Sequence, residues 1–128
     1  MSNTQAMATS FKGEILSGIH ALGTTVIRAG TGADTLKAAL YLASATINAA
    51  TTAYTVTGEV SGTGYSAGGV AVTNATAPTT SGTTGYWTPS ASLTYTTVTL
   101  TTAFDCVLIY NSTQSNKAIS AHTFGSQT

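Results

Sequence analysis

The sequence predicts an all-β protein, an antiparallel, jelly-roll-like β-sandwich with a short N-terminal helix. The chain of 128 residues is long enough for one domain. Threonine occurs 28 times, and β-branched side chains pack well on pleated sheets but lose rotamer freedom in helices. Short apolar runs are separated by glycine-rich turns. The sequence does not show the regular alternation of strands and helices that is typical of a parallel sheet. These observations together favour antiparallel strands.

The N-terminal part is expected to differ from the rest of the chain. Residues 1–10 are polar and predict an arm that is flexible or draped over the domain, whereas residues 11–128 form the single β-sandwich domain. Four apolar residues fall at near-helical spacing: Phe11, Ile15, Ile19 and Leu22. This spacing predicts an amphipathic helix over residues 11–22, ended by Gly23.

Residues 34–45 fit two structures. Asp34 can cap a helix there, but leucine and alanine also alternate as in a strand. The threonine-rich surroundings favour the strand. Asn48 is expected to open one helical turn over residues 48–54, and a short strand follows over residues 70–73.

The second half of the chain predicts one long loop and three strands. Residues 74–92 contain both prolines and little periodicity, which indicates a binding loop or an ordered surface strip. Over residues 93–100, apolar side chains alternate first in one phase and then in the other, which predicts a strand interrupted by a bulge. Residues 104–110 are apolar in both phases, as in a central strand, and a turn leads to the last strand over residues 117–124.

The charge content limits the possible partners. The chain has four basic and four acidic residues and no net charge. Four cations cannot form the basic surface that nucleic-acid binding requires, so no nucleic-acid partner is expected. The longest stretch without charged residues, 60–104, is interrupted throughout by hydroxyls and glycines, so no membrane span is expected either. A free monomer usually has a surface about 25–35% charged, and the shortage here predicts an assembly component rather than a diffusing enzyme.

One motif suggests an enzyme. Residues 64–68 match G-x-S-x-G around Ser66, and Asp105 and His122 follow in the chain order of the α/β-hydrolases. That motif works between a strand and a helix, but the residues after it are poor helix formers. A hairpin turn is therefore the favoured interpretation, and a hydrolase is the least favoured function.

Metal ligands and reactive groups are scarce. The two histidines, the single cysteine and the acidic residues show no ligand spacing, so no metal site and no cofactor are predicted. Cys106 lies within an apolar run, where a small buried side chain is expected rather than a reactive thiol.

The neighbouring aromatic residues Tyr86 and Trp87 are the best candidates for a contact site. Exposed aromatic rings anchor protein interfaces and also stack on sugars. The competing interpretation is that Trp87 fills the core of the domain.

Several segments resemble a family of small structural proteins of tailed bacteriophages. The similar segments are LKAALY at 36–41, TTAY at 51–54, GEVSGTGYSAGG at 58–69, LIYNS at 108–112, KAI at 117–119 and FG at 124–125. The resemblance covers about residues 34–125, and GEVSGTGY is its most distinctive part. Proteins of this type are virion components, and some small ones decorate the capsid exterior.

The resemblance implies a capsid decoration, or cement, protein located on the outside of the virion. Its expected partners are the major capsid protein and further copies of itself, as a homodimer or homotrimer. We expect the interface to include five residues: Phe11, Ile15, Ile19, Tyr86 and Trp87. The alternative is a tail or head-fibre module that adheres to host surface glycans through Tyr86 and Trp87.

Overall fold

The computed structural model describes residues 2–16, 18–23 and 33–128. Its elements in chain order are β1 (Ala6–Met7), α1 (Thr9–Leu16), β2 (Leu36–Leu42), β3 (Val70–Val72), β4 (Thr79–Ser81), β5 (Thr84–Tyr86), β6 (Phe104–Asn111) and β7 (Lys117–Gln127). Five strands form one antiparallel sheet in the order β1-β7-β6-β2-β3, and β4 pairs with β5 in a separate hairpin. The structure confirms an antiparallel all-β fold with one short helix.

The two central strands are apolar in both phases because both of their faces are covered. In β2, Leu36, Ala38, Ala39 and Tyr41 are fully buried. Ala39 lies opposite Leu108 of β6, and Leu108 is also buried. The prediction of a strand over 34–45 is confirmed, as is the central strand over 104–110.

Cross-strand pairing assigns the side chains of the sheet to two faces. The groove face carries Ala38, Val107, Ile109, Ser120 and His122. The tyrosine face carries Tyr41, Cys106, Leu108, Tyr110 and Ala121. Directly opposed residues of an antiparallel pair point to the same side of a sheet, which fixes this assignment.

The helix is shorter than predicted. It ends at Leu16 rather than near residue 22, because Gly18 adopts a positive φ of 69°. The N–H of Ile19 bonds the carbonyl of Glu14 at 2.9 Å and that of Gly18 bonds the carbonyl of Ile15 at 3.0 Å. These two bonds form a Schellman cap, so Gly18, and not Gly23, stops the helix.

Three other predictions need correction. The expected loop over residues 74–92 contains the hairpin β4–β5, whose two-residue turn begins at Gly82 with a φ of 57°. Residues 93–100 form no strand and contribute a single bridge between Thr99 and Thr63. Asn48 begins one hydrogen-bonded turn to Thr51, not a helical segment.

The N-terminal segment is hydrogen-bonded to the domain. β1 pairs with β7, and the side-chain amide of Asn3 contacts three separate parts of the chain. Its Nδ2 donates to the carbonyl of Leu42 at 3.1 Å and to Asp105 Oδ1 at 2.6 Å, while its Oδ1 accepts from the N–H of Ile47 at 2.9 Å. The segment is therefore draped along the sheet rather than extended away from it.

Residues 47–69 cover the tyrosine face, and a buried carboxylate holds them there. Glu59 is 8% exposed. It accepts hydrogen bonds from the hydroxyl of Tyr54 at 2.6 Å, the hydroxyl of Tyr65 at 2.8 Å and the N–H of Gly68 at 2.7 Å. Tyr54 stacks on Tyr110 of the sheet, with ring centroids 4.8 Å apart. Burial and the hydrogen bond to Glu59 raise the pKa of Tyr54 to about 12.

The outer edge of β2 needs the tyrosine hydroxyls because β3 covers only part of it. The N–H of Leu40 donates to the hydroxyl of Tyr65 at 3.0 Å, and the hydroxyl of Tyr95 donates to the carbonyl of Ala38 at 2.7 Å. Gly69 has a φ of 75° and passes so close to Ala38 that a Cβ would overlap its carbonyl oxygen. Side chains and a close backbone approach thus replace the missing length of strand.

We expect Glu59→Ala to lower the free energy of unfolding by about 3 kcal/mol or more, because the buried N–H of Gly68 and two partly buried tyrosine hydroxyls lose their acceptor. Glu59→Gln is the matched control. It keeps the shape of the side chain and one carbonyl oxygen, so the decrease in the free energy of unfolding should be clearly smaller. Urea unfolding followed by circular dichroism measures both, and equal stability of Glu59→Ala and wild type would contradict the assigned role.

Candidate functional site

An apolar groove of about 1060 Å³ lies on the groove face of the sheet. Its walls come from five parts of the chain: β1 and α1, Leu22, Val72 of β3, residues 78–93 with the hairpin β4–β5, and strands β6 and β7. The residues that dominate its lining are Met7, Phe11, Ile15, Leu22, Val72, Pro78, Tyr86, Trp87, Pro89, Leu93, Val107, Ile109 and Ile119. Among the described residues that line the groove there is no Asp, Glu, Lys or Arg, and His122 is the only imidazole.

The structure brings four of the five predicted interface residues to this groove. Phe11, Ile15, Tyr86 and Trp87 all line it, although the first and last come from distant parts of the sequence. Ile15 is 47% exposed and Tyr86 is 46% exposed, whereas Phe11 belongs to the buried core. Ile19 is half-buried and lies outside the lining.

Trp87 is held in place by the core and by a hydrogen bond. The ring is half-buried and packs against the core cluster, and its Nε1 donates to the carbonyl of Thr76 at 2.8 Å. Trp87 therefore forms part of the floor of the groove. Its neighbour Tyr86 is the more exposed aromatic residue of the pair.

A chain of buried polar groups positions α1 and the wall at residues 18–23. His20, whose side chain is fully buried, contacts Glu14 through Nε2 at 2.7 Å. Its Nδ1 lies 2.9 Å from Nδ2 of Asn111. The same Asn111 amide donates to Asp34 Oδ2 at 2.7 Å, and Asp34 also accepts from the N–H of Ala21 at 2.7 Å.

The partners of Asn111 determine the tautomer of neutral His20. Asn111 Oδ1 accepts from the N–H groups of Thr113 and Gln114, so Nδ2 must face His20. An amide nitrogen can only donate, and Nδ1 of His20 is therefore the acceptor. The ring proton lies on Nε2 and is donated to Glu14.

Lys117 of β7 completes this chain by donating to Glu14 Oε1 at 2.9 Å. Burial by itself raises the pKa of Glu14, but the hydrogen bonds from His20 and Lys117 and the charge of Lys117 outweigh it. The pKa of this carboxyl lies below its ordinary value of 4.5. The helix is thus tied to the first residue of β7 by an ionised carboxylate.

The residues of the hydrolase-like motif do not assemble. Ser66 lies in an exposed turn, Asp105 accepts from Asn3, and His122 contacts Ser120 at 2.9 Å. No hydrogen bond joins any two of the three triad candidates, all of which the structure describes. Cys106 is fully buried, and burial, with a smaller effect of the Asp105 charge, raises the pKa of its thiol to about 11.

Two further searches cover only the described part of the chain. Residues 2–16, 18–23 and 33–128 contain no group of three or more His, Cys, Asp or Glu side chains arranged to hold a metal ion. Over the same ranges, no helix has the length and apolar character needed to cross a membrane.

No family model matches this chain. Neither the curated proteins nor the solved structures yield a match. The resemblance to phage structural proteins therefore rests on the sequence segments alone, and function must be argued from the groove and the surface.

Sequence reasoning missed two groups of residues that build the groove. Met7 and Leu93 line it, but Met7 lies in the polar N-terminal segment and Leu93 falls in a predicted strand rather than in a predicted contact site. The polar chain through Asn111 and Asp34 was missed as well, because its members are far apart in sequence. The sequence pattern gave no signal for either group.

We expect Trp87→Phe to lower the free energy of unfolding by about 1–2 kcal/mol, because it removes the bond to Thr76 and leaves a small cavity. Tyr86→Phe is the matched control and should change stability by less than about 0.5 kcal/mol, since that side chain is exposed. Thermal and urea unfolding measure both, and equal effects of the two changes would contradict the different roles assigned to the rings.

Stability should depend on acid through Glu14. A carboxyl with a lowered folded-state pKa contributes its full stabilisation above its ordinary pKa of 4.5, and that contribution is lost as the pH falls through the lowered value. As the pH is lowered below about 4.5, we therefore expect the free energy of unfolding to fall less steeply in Glu14→Gln than in wild type. Lys12→Gln, which removes an exposed charge from the same helix, should keep the wild-type slope. Parallel curves of unfolding free energy against pH for all three proteins would show that Glu14 contributes nothing to the acid dependence of stability.

Proposed function

We propose that this chain is a structural protein of a tailed-phage virion that decorates the outer surface of the capsid and stabilises the head. The observation that carries the proposal is the large uncharged groove, with exposed Ile15 and Tyr86 at its margin. Contiguous apolar surface of this kind is typical of a site that a partner covers. The partner proposed for it is the major capsid protein.

The composition supports the same conclusion. Only 6% of the residues are charged and the net charge is zero, so electrostatic repulsion does little to keep copies apart. In a capsid lattice, many copies bind side by side, and modest affinity at each contact is multiplied by repetition. A neutral, hydroxyl-rich domain suits that setting better than free diffusion.

We also propose that the antiparallel all-β fold is, more specifically, a jelly-roll-like sandwich. Its support is that the hairpin β4–β5, Trp87 and Leu93, which lie outside the five-stranded sheet, line the groove together with strands of that sheet. A sandwich has its second layer there. In the proposed assembly, this incomplete second layer leaves the opening through which the capsid protein makes contact.

The first experiment is the copy number of the chain in purified particles, measured by quantitative mass spectrometry against the major capsid protein. A simple fraction of the capsid copy number, up to one to one, is expected for a decoration protein. A few copies per particle would favour the alternative, a tail or head-fibre module, and saturable sugar binding lost in Tyr86→Ala would support it. Absence from particles would overturn both.

The groove itself is tested by binding the recombinant protein to capsids that lack it. We expect the double change Ile15→Ser with Tyr86→Ser to weaken binding by about tenfold or more, because it removes exposed apolar anchors. Val56→Ser is the matched control: Val56 is 68% exposed and does not line the groove. Equal binding of the double variant and the control would exclude the groove as the contact surface.

A further inference from the structure

The last strand has an outer edge that no other strand covers along its second half. β7 runs for eleven residues. β1 pairs with it only at Ser120 and Ala121, and residues 52–54 contact its beginning through a bridge to Lys117. Within the described part of the chain, no strand pairs with the outer side of residues 123–127.

Side-chain amides bond to the backbone along this segment. Gln5 Oε1 accepts from the N–H of Thr123 at 3.3 Å, and Gln127 Nε2 donates to the carbonyl of Gly125 at 2.9 Å. Both glutamines are exposed. A partner strand can replace such contacts with backbone hydrogen bonds at little cost, because the displaced amides remain accessible to water.

The segment has no charged side chain and no proline to block strand pairing, and its irregularity is a register shift with β6 between Thr123 and Gln127. Sheet edges are normally blocked by lysine, proline, inward-pointing charges, β-bulges or a covering element. Residues 118–128 contain no Asp, Glu, Lys, Arg or Pro, and His122 is their only imidazole. Phe124, which packs edge-on against Phe104 with centroids 5.8 Å apart, is 39% exposed on this strand.

From these observations we infer that two copies of this chain pair antiparallel through residues 123–127 of β7, about a two-fold axis near Gly125. A second copy fits because the segment is uncharged and therefore does not repel itself. A two-fold axis also makes each contact twice. A Cβ at Gly125 would meet only the flexible Gln127 side chain, at 4.0 Å, so the backbones can approach closely there. The pairing closes at two copies because a two-fold axis uses the same segment of both chains and leaves neither of the two segments free.

The dimer has a geometric consequence for the groove. A two-fold axis perpendicular to the sheet reverses strand direction but keeps each face on its own side. The five strands of each copy then continue into one sheet, with both grooves opening to the same side. The inference goes beyond the proposed function and does not depend on it, although two co-facing grooves would strengthen attachment to a capsid by avidity.

The test uses the isolated full chain, measured by sedimentation equilibrium over a range of concentrations. The expected species is a dimer of twice 12.8 kDa. Gly125→Lys should raise the dissociation constant by about tenfold or more, because it brings two like charges together at the axis. Ala67→Lys adds the same charge to an exposed turn next to β3, at the opposite end of the sheet, and should leave the dimer unchanged.

A thermal melt establishes whether Gly125→Lys folds. If the variant does not fold, a second measurement on the wild-type chain still tests the inference. In the wild-type chain, hydrogen exchange at the amides of Thr123 and Gly125 should slow as protein concentration rises. A monomer at every concentration, a trimer, or exchange at these amides that is independent of concentration would overturn the inference. So would a folded Gly125→Lys variant that dimerises normally. A confirmed dimer that is absent from virions would leave the inference standing and remove only the capsid role.

Discussion

The buried carboxylate of Glu59 is the constraint on which much of this fold depends. β2 lies in the middle of the sheet, yet β3 pairs with only part of its outer edge. Farther along this edge, backbone groups bond to tyrosine hydroxyls and to the backbone of Gly58 and Val60. Glu59 holds Tyr65 and the turn at Gly68 in position. A buried carboxylate is stable only when hydrogen bonds replace its water. This one therefore organises residues 47–69 over the tyrosine face.

The opposite face is organised by a different polar chain. Glu14, His20, Asn111 and Asp34 connect the helix, the segment after it and the ends of two strands. Fully satisfied networks of this type specify one arrangement, because any displacement leaves buried polar atoms without partners. The wall of the groove is thus fixed by hydrogen bonds, while the floor is fixed by apolar packing.

Few charges and a large apolar groove have a common physical consequence. The net charge is zero, and no charged side chain lines the groove within the described part of the chain, so apolar contact can dominate association there. The neutral second half of β7 extends the same property to an edge of the sheet. We interpret the molecule as a domain whose exposed surfaces favour repeated, close contact with neighbouring proteins.

The sequence by itself determined the elements whose signals are local. Threonine content and alternation predicted antiparallel strands, and the central strand over 104–110 was evident from apolar residues in both phases. It also identified Tyr86 and Trp87 as a pair of interest and offered packing into the core as an interpretation for Trp87, whose partly buried ring does pack against the core cluster. Local patterns predict these elements because hydrophobic periodicity and turn-forming residues act within a few positions of the chain.

Only the tertiary structure decided where the helix ends, how the edge of β2 is satisfied and where the groove lies. Gly18 and Gly23 are both plausible helix ends, and the observed choice keeps His20 in contact with Glu14 and Asn111. The hydrogen bonds of Glu59 join residues close in sequence, but their value depends on a strand edge formed far away. Phe11 and Tyr86 meet at one groove although 75 residues separate them. Such contacts arise from packing between distant segments, which no local pattern encodes.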